Sequence, residues 1–136
     1  MLTARLVWTL SGQYGKYLSQ WAGPGHWHDP DMLLIGNGCL TTFEEQTQMA
    51  LWSISAAPLI MGNDLRNITD ASKAILLNKH AIAVDQDPLG KMGYRVNVTA
   101  DGHGQVWARS VKSVWKALLQ CQMLWVMQRA SVQCAA

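Results

Sequence analysis

The chain has 136 residues, of which 49% are hydrophobic and 15% charged, and it carries a formal net charge of +2. Its length suffices for one domain with a hydrophobic core, and its low charge content excludes disorder over most of the chain. The net charge is too small to indicate a nucleic-acid partner. No apolar run reaches membrane-spanning length, because the stretch 114–127 is interrupted by polar residues.

The predicted elements begin with a strand and a helix. The apolar run 31–36 lies between a proline and a glycine, which suits a buried strand. A helix opens at Thr42, because Thr42 and Glu45 form a capping-box pattern, and Pro58 ends it. The apolar stripe of this helix comprises Met49, Trp52, Ile54 and Ala56.

The alternation of apolar runs and helical segments then repeats. A second apolar run covers 59–61. Thr69 or Asp70 caps a second helix over 71–79, and a third apolar run follows at 82–84. The middle of the chain is therefore predicted to be an α/β segment.

The hydrophobic period changes from Tyr94 onward. Val96 and Val98 alternate with polar residues, as in a strand. The dipeptide at 101–102 marks a turn, and a return strand begins at 106–107. The sequence therefore predicts an antiparallel hairpin after the α/β segment.

The densest group of polar and aromatic side chains lies in the segment 21–37, WAGPGHWHDPDMLLIGN. A rigid Gly-Pro-Gly turn at 23–25 opens it. If the following residues form a strand, Asp29 and Asp31 face the same side, where they could share an acid/base task, bind a metal or contact sugar hydroxyls. The structural alternative is that one carboxylate caps a backbone turn and the other pairs with an arginine.

The residues beside the two carboxylates admit similar alternatives. His26 and His28 alternate as strand ligands of a metal do, but no further ligand cluster occurs, so the sequence favours no metal. Trp21 and Trp27 could present a flat apolar face to a sugar ring, or they could pack in the core. Met32, at the start of the predicted strand, would by itself be core filler.

Other polar groups in the sequence are interpreted as structural. Asp64 and Arg66 can pair locally, and Asp85 and Asp87 can cap or hold a loop. No serine has a histidine in a triad-like context.

The cysteines and sequons give weaker signals. Three widely spaced cysteines leave at least one unpaired or bonded elsewhere, and they show no metal-ligand spacing; they are Cys39, Cys121 and Cys134. Asn67 and Asn97 begin N-glycosylation sequons and are the candidate glycosylation sites. The N-terminal apolar run is short and lacks a small-residue cleavage site, so it matches a signal peptide poorly.

Several motifs occur together in one order and spacing between about Tyr14 and Val111. They are 22–37, QMALW at 48–52, AAPL at 56–59, NDLR at 63–66 and DQDPLG at 85–90. In this combination the chain resembles the α-galactosidases and α-N-acetylgalactosaminidases of glycoside hydrolase family twenty-seven, the melibiases.

The resemblance implies a catalytic (β/α)₈ barrel followed by an antiparallel β domain. Because such a barrel takes about 250 residues, the chain resembles only its last two strand–helix units and the first hairpin of the β domain. The expected fold class is α/β, a partial (β/α)₈ TIM barrel. The implied boundaries are a non-family extension at 1–13, the partial barrel at 14–92, the first hairpin at 93–111 and a non-family tail at 112–136.

The resemblance also implies an activity. Family members hydrolyse terminal α-D-galactose or α-N-acetylgalactosamine of glycolipids and glycoproteins with retention, using two carboxylates and neither cofactor nor metal. Both catalytic aspartates lie upstream of the matching segment in the family, and 1–20 contains no counterpart of either. No catalytic residue is therefore assigned, and the chain alone is expected to be inactive. The alternative is a non-catalytic truncated remnant or binding fragment.

The family motif assigns roles to the residues of one wall of the sugar pocket. Asp31 and Met32 match positions that bind the substrate. Trp27, His28 and Asp29 match supporting residues of the same wall, although the family usually has asparagine where this chain has His28.

Partners and location follow from the resemblance as well. The expected partner is an α-galactoside-type carbohydrate, with no nucleic acid and no membrane. Family members are often homodimers and are lysosomal or secreted, whereas this chain has no convincing signal peptide of its own. Because part of a barrel leaves strand edges unpaired, we expect the chain by itself to be marginally stable.

Overall fold

The computed structural model describes residues 15–100 and 104–112. Within this part, a helical turn at 15–18 precedes three α-helices and two β-strands. The helices are α1, Thr42–Ser55, α2, Asp70–Leu76, and α3, Lys79–Asp85, with a 3₁₀ turn at Leu65–Asn67. The strands β1, Tyr94–Val98, and β2, Gln105–Ala108, pair antiparallel.

Helix α1 begins with a capping box one residue earlier than predicted. The Thr41 hydroxyl accepts from the Glu44 amide at 3.4 Å, and the Glu44 carboxylate accepts from the Thr41 amide at 2.8 Å. The prediction of Thr42 with Glu45 is therefore wrong, although both pairs have the same spacing. Glu45 is instead buried, where its carboxylate accepts from the Gly36 amide.

The body of α1 agrees with its predicted apolar stripe. All four stripe residues are buried, and α1 ends at Ser55, where Ala56 takes a left-handed C-cap conformation ahead of Pro58. The core cluster consists of Leu33, Ile35, Met49, Trp52 and Ala57. Partly buried residues of α2 and α3 pack against this cluster, so α1 lies at the centre of the described part.

The predicted single helix over 71–79 and the third apolar run at 82–84 are arranged differently in the structure. Helix α2 ends at Leu76, and the Asn78 side chain accepts from two first-turn amides to begin α3. The run 82–84 is thus helical and is not a strand. Periodicity alone cannot separate a short buried strand from a buried helix segment. Of the two predicted caps for α2, Thr69 is the one used.

The two apolar runs 31–36 and 59–61 lie side by side, but they form no extended strands in the described part. A single parallel bridge joins Leu33 to Met61, with the Leu33 amide donating to the Ile60 carbonyl at 2.8 Å. The two runs therefore pair with each other at one position, but they do not form the strands that were predicted over their length.

The hairpin is confirmed in its two strands. A one-residue bulge at Val96 interrupts the register, and both Val96 and Val98 are exposed. The Gly93 amide donates to the Ile54 carbonyl at 2.8 Å, which attaches the hairpin to the end of α1. The predicted turn at 101–102 lies outside the described residues.

Two further features of the described part concern its cysteine and the length of its helices. Cys39 is disulfide-bonded, while Cys121 and Cys134 lie outside the described residues. None of the helices in 15–100 or 104–112 has both the length and the apolar character that a membrane crossing requires.

Candidate functional site

The Gly-Pro-Gly turn closes on itself by two backbone hydrogen bonds. The Gly23 amide donates to the His26 carbonyl at 2.9 Å, and the His26 amide donates to the Gly23 carbonyl at 3.0 Å. Pro24 restricts φ at the first central position, and Gly25 has a φ of +88°, as a type II turn requires. The turn is thus a fixed entry to residues 27–32, which we call the site segment.

Trp27, the first residue of the site segment, rests on a second turn. A Cβ placed on Gly90 would lie 2.7 Å from Cη2 of Trp27, so the indole touches the Gly90 backbone. Asp87 holds this second turn, because its carboxylate accepts from the amides of Leu89 at 3.0 Å and Lys112 at 2.8 Å. The predicted loop-holding role of Asp87 is confirmed, and Trp27 keeps 44% of its surface exposed.

The two histidines do not form a pair in the described structure, and neither do the two tryptophans. His28 donates from Nε2 to the Leu18 carbonyl at 2.9 Å, which ties the site segment to the helical turn at 15–18. His26 is exposed, and Trp21 packs edge-to-face on Tyr17 with 6.4 Å between ring centroids. Among residues 15–100 and 104–112, no group of three or more potential ligands is placed to hold a metal ion.

Asp29 and Asp31 do not lie on one face of a strand. Asp31 has a φ of +79°, in the left-handed region, so the two-residue alternation of a strand does not apply. The Asp29 carboxylate accepts from the Asp31 amide at 2.9 Å, and the Asp31 carboxylate accepts from the Met32 amide at 2.7 Å. Both carboxylates therefore cap backbone amides through Oδ1, and both side chains are exposed.

Met32 is exposed beside Asp31 rather than packed in the core. It keeps 48% of its surface, and a Cβ on Gly62 would lie 3.1 Å from the Met32 Cβ. The interpretation of Met32 as core filler is therefore wrong. The site segment presents two carboxylates, a thioether and an indole to solvent, a combination suited to hydroxyl groups and an apolar ring face.

Helix α1 fixes the backbone on either side of Met32. Trp52 Nε1 donates to the Asp31 carbonyl at 2.9 Å. The Leu34 amide donates to a side-chain amide oxygen at 2.9 Å, and the Gly36 amide donates to a carboxylate at 2.7 Å. The three buried α1 residues that make these bonds, which we call the α1 anchor, are Glu45, Gln48 and Trp52.

The roles of Glu45 and Gln48 in the α1 anchor were not predicted from the sequence. Glu45, Gln48 and Trp52 are spaced i, i+3 and i+7, which places them on one helical face. The available signal was that two polar residues share the face of the apolar stripe, where a polar side chain must find a partner. Glu45 also accepts from the Ser72 hydroxyl at 2.9 Å, which joins α2 to α1.

A buried polar cluster lies where the hairpin meets the helices. Arg109 donates to the Ser53 carbonyl at 2.6 Å and to the Asp85 carbonyl at 3.2 Å. Burial raises the pKa of the Asp85 carboxyl, while a hydrogen bond from Gln86 and the charge of Arg109 act against that rise. Burial likewise lowers the pKa of Arg109. The cluster holds the end of β2 against α1 and α3.

The remaining predicted residues lie on the surface. Arg66 and Asp64 form the predicted local pair, with Nη2 to Oδ2 at 2.8 Å, and the hydrogen bond from Arg66 lowers the pKa of Asp64. Asn67 and Asn97 are both exposed. Their glycosylation stays a prediction.

Comparison with known proteins gives consistent results. A family model described as Alpha galactosidase A matches residues 3–87. The chain is 48% identical over 109 residues to alpha-galactosidase A of Homo sapiens, covering 80% of this chain and 24% of that protein. It is 47% identical over 102 residues to alpha-N-acetylgalactosaminidase of Gallus gallus, covering 75% and 25%.

A solved structure agrees with these relatives. The α-galactosidase of Saccharomyces cerevisiae with raffinose matches with a TM-score of 0.68 and 27% identity, covering 80% of this chain and 25% of that one. The chain thus spans about a quarter of the length of the relatives that it matches. The family match begins at residue 3, within the stretch 1–13 for which the motifs gave no resemblance.

Proposed function

The chain belongs to the α-galactosidase A family, and from this premise we propose that its site segment forms one wall of the sugar pocket of a retaining glycosidase. The enzyme hydrolyses terminal α-D-galactose or α-N-acetylgalactosamine of glycolipids and glycoproteins. Both activities are in the names of relatives that match this chain.

One observation carries the proposal. Asp31 and Met32 are adjacent and exposed, yet their backbone is fixed by hydrogen bonds on both sides. A rigid backbone that presents side chains to solvent is what a binding site requires, because little conformational freedom is lost when the ligand binds. The raffinose bound by the yeast relative is a carbohydrate of the expected class.

Five residues of the site segment have a proposed role. Asp31 accepts a hydrogen bond from a sugar hydroxyl through its carboxylate, and Met32 contacts the apolar part of the ring. Trp27 borders the pocket, while His28 and Asp29 support the wall through their hydrogen bonds to Leu18 and to the Asp31 amide. The two carboxylates that break the bond belong to the opposite wall, and the reaction requires no metal or cofactor.

The fold proposal is a partial (β/α)₈ barrel followed by the first hairpin of a β domain. Its support is the parallel bridge between Leu33 and Met61, with α1 between these residues in sequence. A strand, a crossover helix and a parallel strand make up the unit from which such barrels are built. The proposed boundaries are 14–92 for the barrel part and 93–111 for the hairpin.

A non-catalytic remnant or binding fragment is the second candidate. In that case the site segment would still contact a sugar but would take no part in cleavage of the bond. We further propose a lysosomal or secreted location and a homodimeric whole protein, as in other family members. The exposed sequon asparagines are compatible with that location.

The proposal is tested in a chimera in which 22–90 of this chain replaces the aligned residues of human alpha-galactosidase A. We expect the chimera to hydrolyse p-nitrophenyl α-galactoside. Asp31→Asn should lower kcat/KM by about 10- to 100-fold, because a hydrogen bond to a charged group contributes about 1.5–3 kcal/mol. Asp70→Asn, the same change at an exposed position of α2, should leave kcat/KM unchanged.

The outcomes separate the two candidate functions. An active chimera in which Asp31→Asn leaves kcat/KM unchanged would show that Asp31 does not bind the sugar. A folded but inactive chimera would favour the remnant. The 136-residue chain alone should release no p-nitrophenol, and turnover that Asp31→Asn abolishes would overturn that expectation.

A further inference from the structure

The backbone conformation of Asp31 is one that needs support from hydrogen bonds. Its φ of +79° lies in the left-handed region, which is unfavourable for most residues with a side chain and which aspartate reaches with the help of local hydrogen bonds. Such a conformation persists when neighbouring groups determine it. Asp31 is also the residue whose carboxylate is proposed to contact the sugar, so its φ sets where that carboxylate points.

Three hydrogen bonds fix Asp31, and two of them are local. The carboxylates of Asp29 and Asp31 bond to backbone amides within two residues. These two bonds move with the site segment and cannot set its position on the fold. The third bond, from Trp52 Nε1 to the Asp31 carbonyl at 2.9 Å, crosses 21 residues of sequence.

Trp52 is suited to set that position. It is 1% exposed and belongs to the core cluster, so its indole is held by close packing on all sides. Its ring nitrogen is a donor only. The bond therefore fixes the backbone of Asp31 relative to the core.

We infer that Trp52 is a positioning residue of the sugar pocket. Its indole holds Asp31 in the left-handed conformation and so directs the Asp31 carboxylate and Met32 toward the ligand. This inference rests on the proposed function for its ligand and on the geometry alone for its mechanism. Trp52 contacts no substrate and acts only through the Asp31 carbonyl.

The mechanism is tested on the full 136-residue chain by NMR. Residues with positive φ give a strong intraresidue NOE between the amide and α protons. We expect this NOE at Asp31 in the wild type and a weak one in Trp52→Phe, which keeps an aromatic ring and removes the N–H. Trp107→Phe is the matched control, because it removes a buried indole N–H that bonds to Gln105 in the hairpin.

A second variant guards against loss of folding. Replacement of Trp52 by β-(3-benzothienyl)alanine keeps the shape of the indole and removes only the N–H. A strong NOE at Asp31 in this folded variant would overturn the inference. A weak NOE there, with Trp107→Phe unchanged from the wild type, would support it.

The functional consequence is tested in the active chimera by a double-mutant cycle. Trp52→Phe should lower kcat/KM by at least about tenfold, because small displacements of a binding group reduce rates by that order. The double variant with Asp31→Asn should lose less than the sum of the two single losses, because part of the effect of Trp52 acts through the Asp31 carboxylate. Additive losses would contradict this. If Asp31→Asn itself has no effect, the proposed function fails, and the NOE result still decides the mechanism.

Discussion

At the scale of single residues, the site segment depends on backbone conformations that side chains rarely permit. Asp31 is held at a positive φ by three hydrogen bonds. Among the glycines with positive φ, Gly25 lies in the entry turn and Gly90 lies under Trp27. These two glycines differ in one respect that can be measured. A Cβ on Gly25 would meet nothing within 4 Å, whereas a Cβ on Gly90 would collide with Trp27.

We predict that Gly90→Ala destabilises the chain more than Gly25→Ala does. Both changes impose the cost of a left-handed alanine, about 1–2 kcal/mol. Gly90→Ala adds overpacking against Trp27, about 1–3 kcal/mol more. Urea midpoints of the two variants measure the difference in the free energy of unfolding. Equal midpoints would show that Trp27 can shift at no cost and does not rest firmly on Gly90.

At the scale of elements, the helix ends decide how the chain is divided. The capping box at Thr41 and Glu44 leaves Glu45 free to turn inward, where it bonds to Gly36 and Ser72. Asn78 in turn separates α2 from α3. The first cap lies one residue before the predicted one, and the second divides a segment that was predicted as a single helix.

The α1 cap yields a direct comparison of two threonines. Thr41→Ala should lower the free energy of unfolding by about 1 kcal/mol, because it leaves a helix N–H without its partner. Thr42→Ala, an exposed change one residue later, should stay within about 0.5 kcal/mol of the wild type. Chemical denaturation distinguishes the two variants. A larger effect at Thr42 would show that the capping box consists of Thr42 and Glu45, as predicted from the sequence.

The polar cluster that joins α1, α3 and β2 predicts a pH dependence. Burial raises the pKa of Asp85 above its ordinary 3.8, so above that value the folded state binds more protons than the unfolded chain. Stability therefore falls as pH rises from 3.8 through the folded pKa. Relative to Asp85→Asn, the wild type should become less stable across that window in denaturation curves taken at several pH values.

The matched control for this pH dependence has the opposite sign. The hydrogen bond from Arg66 lowers the pKa of Asp64, so Asp64 contributes stability that is lost as pH falls through its folded pKa. Relative to Asp64→Asn, the wild type should therefore gain stability as pH rises. Curves with the same slope for both aspartates would contradict the assignment of Asp85 to a buried cluster.

At the scale of the whole molecule, the described part exposes surface that a complete domain usually covers. The parallel bridge between Leu33 and Met61 pairs the two apolar runs with each other. Large apolar side chains are exposed beside it and on β1; they are Met32, Ile60 and Met61 beside the bridge, and Tyr94, Val96 and Val98 on β1. Exposed apolar surface of this kind marks interaction sites or a tendency to associate.

We predict that the chain by itself has a free energy of unfolding below about 5 kcal/mol, the lower limit for ordinary domains. The reason is that its apolar runs have few backbone partners and part of its apolar surface stays in water. Urea denaturation with sedimentation velocity measures stability and association together. A soluble monomer that unfolds in one cooperative transition at higher stability would contradict the prediction.

The sequence by itself determined the apolar stripe of α1, the antiparallel hairpin, the Gly-Pro-Gly turn and the family, because each is written in residues close together along the chain. The tertiary structure alone decided the left-handed conformation of Asp31, the exposure of Met32 and the inward turn of Glu45. The bonds responsible join residues 9 to 27 positions apart. Local periodicity contains no information about such contacts, because they arise only when α1 packs against residues 31–36 and against α2.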